Sequence, residues 1–160
     1  MKTHNKTRGK YFEDVISEKI RTFLKIPESE LHRNPFSGRS KLEYGDIRIP
    51  FDCVLECKFY QNWTVENTFL KHNKQLEEWW NQLEEEFLKY EKDKNIQPLK
   101  SLIISKPHGN IYSVLDKNQI YDYIDKLSFF ISFDRERIVV KFDEFLNILN
   151  WRFFSIDVKN

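Results

Sequence analysis

Apolar residues recur at three- and four-residue spacing from Phe12 through Val15, Ile16, Ile20, Phe23 and Leu24. That period predicts an amphipathic helix, which Pro27 ends. The segment from Leu31 to Phe36 reads as a short strand running into a loop, SGRSKLEYG, marked by Ser37, Gly38 and Ser40. Two strand-like runs follow, Tyr44 to Ile49 and Cys53 to Tyr60, joined at Pro50-Phe51-Asp52 as in an antiparallel hairpin. From about Val65 to Lys94 the pattern is helical again. Phe69, Leu76, Trp79, Trp80, Leu83, Phe87 and Tyr90 form its apolar face, with Glu77, Glu78, Glu84, Glu85 and Glu86 mostly on its wet face.

Pro98 stops that helix before a buried strand, Leu99 to Ser105, and KPHGN turns it into a partner strand from Ile111 to Leu115. A helix from about Lys117 to Leu127, a strand from Arg137 to Phe142 and a short helix from Asp143 to Leu149 complete the pattern. There is no internal repeat and no linker rich in Pro, Gly or Ser. The order predicts one α/β domain, a central mixed sheet flanked by helices. Within residues 1–160 it divides into a loose basic arm (1–10), a core (11–115) and a C-terminal extension (116–160).

Composition narrows this picture. In 160 residues, 40% hydrophobic and 16% aromatic content suffices to fill a core, which argues against wholesale disorder. No apolar run is long enough to span a bilayer, and the first ten residues lack the apolar segment of a signal peptide. Two cysteines fit a reducing compartment, so the expectation is a cytoplasmic protein without a membrane partner. The 26 basic and 25 acidic residues nearly cancel, which excludes a uniformly basic coat. The balance is local, however. Residues 1–48 hold 11 basic against 7 acidic side chains, whereas residues 66–95 hold 5 against 8. A polyanion would meet the N-terminal third first.

Candidate chemistry lies in GDIRIPFDCVLECKFY. Side chains alternate across a strand, so Cys53, Leu55, Cys57 and Phe59 share an apolar face while Val54, Glu56 and Lys58 share the other. A carboxylate and an ammonium in mid-strand are avoided unless paired or functional. Asp46, one arm earlier, can meet Glu56 across the two strands. Converging carboxylates with room for waters suit Mg²⁺ or Mn²⁺, and a nearby lysine can orient water and stabilise charge on an attacked phosphate. Such a set suits metal-assisted phosphodiester hydrolysis. The same spacing also arises in an edge strand whose Glu56 and Lys58 face water while Asp46 starts a turn.

Gly45-Asp46 followed ten positions later by Glu56-Cys57-Lys58, in apolar strand contexts, resembles the PD-(D/E)xK nuclease signature, with Gly45 in place of the motif's Pro. Upstream, Phe12-Glu13 on a helix, a strand containing Arg33 and the turn Ser37-Gly38-Arg39 resemble the archaeal and phage Holliday-junction resolvase branch. Downstream, Lys74-Gln75 on a helix and a strand ending at Lys106 resemble phage members of that group. The likeness covers roughly residues 9 to 115. It implies a restriction-endonuclease-like core and a Mg²⁺- (or Mn²⁺-) dependent endodeoxyribonuclease.

By the same resemblance, Asp46 and Glu56 ligate the metal with the Cys57 backbone carbonyl, Glu13 supports it directly or through water, and Lys58 positions or activates the attacking water. Arg33, Ser37, Arg39, Lys41, Gln75 and Lys106 contact DNA. The implied partner is double-stranded or branched DNA such as a four-way junction, in recombination, repair or phage DNA processing, bound by a homodimer. Other readings are a nicking or non-specific nuclease, a catalytically silent nucleic-acid-binding module, and an adaptor docking through the acidic helix at 77–86.

The remaining motifs have simpler readings. Cys53 and Cys57 with His72 or His108 suggest zinc, yet their Cα atoms lie roughly 13 Å apart on the strand rise, too far for one tetrahedral ion or a disulfide. Asp52 sits in the turn, pointing away from Glu56. Trp79 and Trp80 can stack on bases but lie in a helical core stripe. Asp143-Glu144 caps a helix.

Overall fold

A computed structural model describes residues 2–35, 44–61, 64, 74–132 and 134–154. Helix α1 (Lys2–Leu24) leads into two short strands, β1 (His32–Arg33) and β2 (Ile47–Arg48). Then come β3 (Cys53–Phe59), α2 (Lys74–Lys94), β4 (Leu99–Ser105) and β5 (Tyr112–Asp116). A 3₁₀ segment (Asn118–Lys126), β6 (Phe130–Ser132), β7 (Arg137–Lys141) and α3 (Phe142–Phe153) complete the described chain. Ser37, Arg39, Lys41 and His72 lie outside the described residues, as does the start of the long helix expected from Val65.

Five strands form one mixed sheet in the order β3-β4-β5-β7-β6, with β3 and β4 parallel and the other pairs antiparallel. The parallel pair follows from the connection, because α2 crosses over the sheet between β3 and β4. Strand β4 is buried along its whole length, as its near-continuous apolar run anticipates for a strand covered on both faces. One face packs Cys53, Leu55 and Cys57 of β3 against Phe12, Ile16 and Ile20 of α1 and against α3. The other packs Val54 against Leu76, Trp80 and Leu83 of α2. This is the predicted mixed α/β sheet with flanking helices.

Three expectations change. The first ten residues are not a loose arm, because α1 begins at Lys2 and is continuous through them. The segment 116–160 is not an appendage: β7 pairs with β5 and β6, and Phe145, Ile148 and Leu149 of α3 enter the same core as α1. The expected hairpin does not close either, since β2 pairs antiparallel with β1 in a separate two-stranded sheet. Of the apolar stripe on α1, Phe23 is exposed. The helix ends in a Schellman turn, with Lys25 left-handed (φ 57°) and the Ile26 N–H donating to the Arg21 carbonyl, just before Pro27.

Helix α2 is held to the sheet by buried cations as well as by apolar contacts. Lys100 of β4 binds Glu84 and Asp116, and Arg137 of β7 binds Glu77 and Asp134, with Trp80 between the two cations. Glu77 and Glu84, placed on the wet face by periodicity, are therefore anchors.

Candidate active site

The site forms where Gly45-Asp46 docks on the open edge of β3. The Asp46 N–H donates to the Leu55 carbonyl at 2.8 Å, and the Asp46 carboxylate (Oδ2) accepts the Cys57 N–H at 2.8 Å. The approach demands glycine. Gly45 has φ +68°, and a Cβ there would lie 2.5 Å from the Leu55 carbonyl oxygen. Asn34 braces the turn from behind, its N–H donating to the Asp46 carbonyl and its side-chain amide to the Gly45 carbonyl. A residue in a strand points its N–H and C=O to the same side, so the Cys57 carbonyl also faces the edge carrying Asp46.

Glu56 is only 4% exposed and sits on the α2 face of β3. Lys58 lies beside it, its Nζ donating to Glu56 Oε1 at 2.5 Å and to Gln82 Oε1 of α2 at 2.8 Å. The water-facing alternative is thereby excluded for Glu56. Asp46, Glu56, Cys57 and Lys58 line a pocket of about 230 Å³ with Gly45, Glu13 of α1, and Gln82 and Glu86 of α2. Two helices on opposite faces thus reach the same edge.

The pocket crowds negative charge. Burial, reinforced by the Asp46 and Glu56 carboxylates against the opposing pull of Arg33, pushes Glu13 up to about 7. Burial followed by repulsion from Asp46 raises Glu56, which Lys58 opposes. Asp46 is raised as well, chiefly by burial, with the Cys57 N–H and Lys58 working against the shift. Carboxylates destabilised in this way gain when a cation lies among them. Among the described residues no three His, Cys, Asp or Glu side chains converge closely enough for an all-protein cage. The donor set instead fits an ion such as Mg²⁺, which takes one or two carboxylates, a carbonyl and several waters.

The other sequence candidates fall out unevenly. Arg33 donates to Asp14 at 3.1 Å and its charge acts on Glu13, so it borders the pocket. Gln75 does not line the pocket; it lies two helical turns before Gln82 and contacts Glu78. Gln82 and Glu86 occupy the place, and the sequence pointed to neither. The only signal for Gln82 was its heptad spacing from Gln75, and Glu86 follows one helical turn later on the same face. Lys106 follows β4 at the end of the sheet where β3 delivers Lys58, but is not part of the pocket lining.

Asp52 accepts from the Tyr90 hydroxyl at 2.6 Å and lines a different groove, of about 550 Å³. Cys53 and Cys57 are free and buried, and burial pushes both thiols up. Trp80 is core, and Trp79 packs against Tyr60. Among the described residues no helix is long and apolar enough to cross a membrane.

A family model described as "Phage putative PDDEXK endonuclease" matches residues 4–155. No curated protein and no solved structure matches the chain.

Proposed function

The chain belongs to the phage PDDEXK endonuclease family, and from that premise we propose that it hydrolyses DNA phosphodiesters at the edge of β3 with the help of Mg²⁺ or Mn²⁺. The observation that supports this most directly is the meeting of Asp46, Glu56 and Lys58, brought in from two separate segments, in one pocket. Asp46, Glu56 and the Cys57 carbonyl would hold the cation, with Glu13 in direct or water-mediated support. When bound, the ion supplies charge neutralisation at the phosphate and eases ionisation of the attacking water.

The chain's own groups do the rest. Lys58, fixed by two acceptors, presents its ammonium where charge grows on the attacked phosphate oxygens. The Asp46 turn, bonded at both its N–H and its carboxylate, enters the reaction already oriented. Arg33 offers a cation beside Glu13 for the approaching backbone, and the positive excess of residues 1–48 draws the polyanion to this side. Ser37, Arg39 and Lys41, which lie between β1 and β2 in the sequence, and Lys106 after β4 extend that contact. Gln75 lies on the same helix face as Gln82, further along the DNA path.

The finer reading is selectivity for branched DNA such as four-way junctions, by a homodimer, supported by the likeness of the Glu13, Arg33 and Ser37-Gly38-Arg39 motifs to junction resolvases. Labelled linear, nicked and four-way DNA incubated with Mg²⁺, Mn²⁺ or EDTA tests both levels. Cleavage that needs the cation and is lost in Glu56→Gln is the expected result. Failure to cut any substrate with either ion would overturn the enzyme reading in favour of a silent binding module. Symmetric cuts confined to the junction would establish the selectivity, and equal cutting of linear DNA would remove it.

A further inference from the structure

Beyond the catalytic pocket, β3 and α1 run on together and enclose a second groove. Glu13 of α1 lines the same pocket as Glu56, Phe12 packs on Phe59 in a tilted pair with ring centroids 5.3 Å apart, and the preceding turn of α1 reaches Gln61. There Arg8, Tyr11, Phe59, Gln61, Pro107 and His108 line a cleft of about 670 Å³. It opens three residues past Glu56, or roughly 10 Å along the strand. Tyr11 is 70% exposed, so its ring lies free beside this cleft. His108, left-handed at φ 56° in the turn closed by the Gly109 N–H and the Lys106 carbonyl, forms the far wall. No carboxylate is among the described lining residues, in contrast to the catalytic pocket one step away.

An apolar, aromatic cleft with a guanidinium and no acid among its described lining residues matches a nucleotide, which has a flat stacking face and one negative charge. A base paired within a duplex cannot offer that face. We propose that this groove takes an unpaired nucleotide of the strand being cut, its base against the Tyr11 ring and its phosphate against Arg8. The inference rests on the nuclease reading for its substrate and gives that substrate a single-stranded element next to the scissile bond.

The test is binding by the full chain in EDTA, read by fluorescence anisotropy on a labelled blunt duplex and on the same duplex with a short single-stranded gap. The expected result is tighter binding of the gapped DNA. Tyr11→Ala should weaken that complex roughly 5- to 100-fold while leaving blunt-duplex binding unchanged. Tyr11→Phe, which keeps the ring, should retain the preference. Equal binding of both DNAs by the wild type, equal losses on both, or an unaffected Tyr11→Ala protein would each overturn it. An apolar peptide as the true occupant would give the last of these. Because no cleavage occurs in EDTA, the two readings separate. A Tyr11-dependent preference without cleavage in Mg²⁺ removes the nuclease reading alone, and cleavage without that preference removes the groove alone.

Discussion

Replacing Gly45 with alanine should damage both stability and catalysis, and the structure sets the size of the effect. At φ +68° an L-residue costs roughly 1–2 kcal/mol relative to glycine. The new Cβ would also lie 2.5 Å from the Leu55 carbonyl oxygen and 3.0 Å from its nitrogen, both backbone atoms that no rotamer change can move aside. Relief requires the turn to retreat by about 1 Å, which stretches the Asp46–Leu55 and Asp46–Cys57 hydrogen bonds, each worth about 0.5–1.5 kcal/mol. The total loss is about 2–4 kcal/mol, measured by urea unfolding.

The same retreat pulls the Asp46 carboxylate from its place beside Glu56, and a displacement of that size costs roughly 100-fold in rate. Gly9→Ala is the matching control. It lies within α1 with nothing within 4 Å of a new Cβ, so it should stabilise by about 0.5–1 kcal/mol without changing cleavage. A Gly45→Ala protein within about 0.5 kcal/mol of wild type, with unaltered cleavage, would refute the account of the turn.

Further outcomes follow from the same contacts. Gln82→Ala removes one of the two acceptors holding Lys58 and should lower the cleavage rate roughly 10- to 100-fold, with a much smaller effect from Gln75→Ala, in single-turnover assays. Lys100→Met keeps the packing against Trp80 and Phe87 but leaves the half-buried Glu84 and Asp116 carboxylates without their cation, so urea unfolding should show a loss of about 1–3 kcal/mol. Lys100→Ala should be clearly less stable. In EDTA, thermal stability should fall as pH rises from 4.5 to about 7, because Glu13 is raised from 4.5 to about 7 and Asp46 and Glu56 shift the same way. The folded state holds protons there that the unfolded chain has released, so stability is full below the ordinary carboxylate range and is lost across that window. The Glu13 share is about 1–3 kcal/mol after allowing for its partial exposure, and Glu13→Gln should flatten the slope seen by scanning fluorimetry.

Local patterning was enough to read β3. Alternation along CVLECKF separates Cys53, Leu55 and Cys57 from Glu56 and Lys58, and the structure packs the two sets on opposite faces. Patterning also located β4, the ends of α1 and α2 near Pro27 and Pro98, and the Gly45-Asp46 pair. It misread Glu77 and Glu84, because helical period says which way a side chain points from its own axis and not what the neighbouring sheet offers. Arg137 and Lys100, far away in sequence, turn those wet-face acids into anchors.

What the sequence by itself determined, then, is which candidate groups each element presents: a carboxylate after a glycine, a carboxylate and lysine two apart on one strand face, and an acid beside Phe12. Which of them meet was decided only by tertiary structure. β2 leaves β3 for β1, so the edge of β3 stays open to receive Asp46 through its backbone. α1 on one face brings Glu13, and α2 on the other brings Gln82 in place of Gln75. The reason is physical. Alternation and helical period are properties of neighbouring residues, whereas docking of one element on another depends on burial and hydrogen-bond satisfaction summed over contacts distant in the chain.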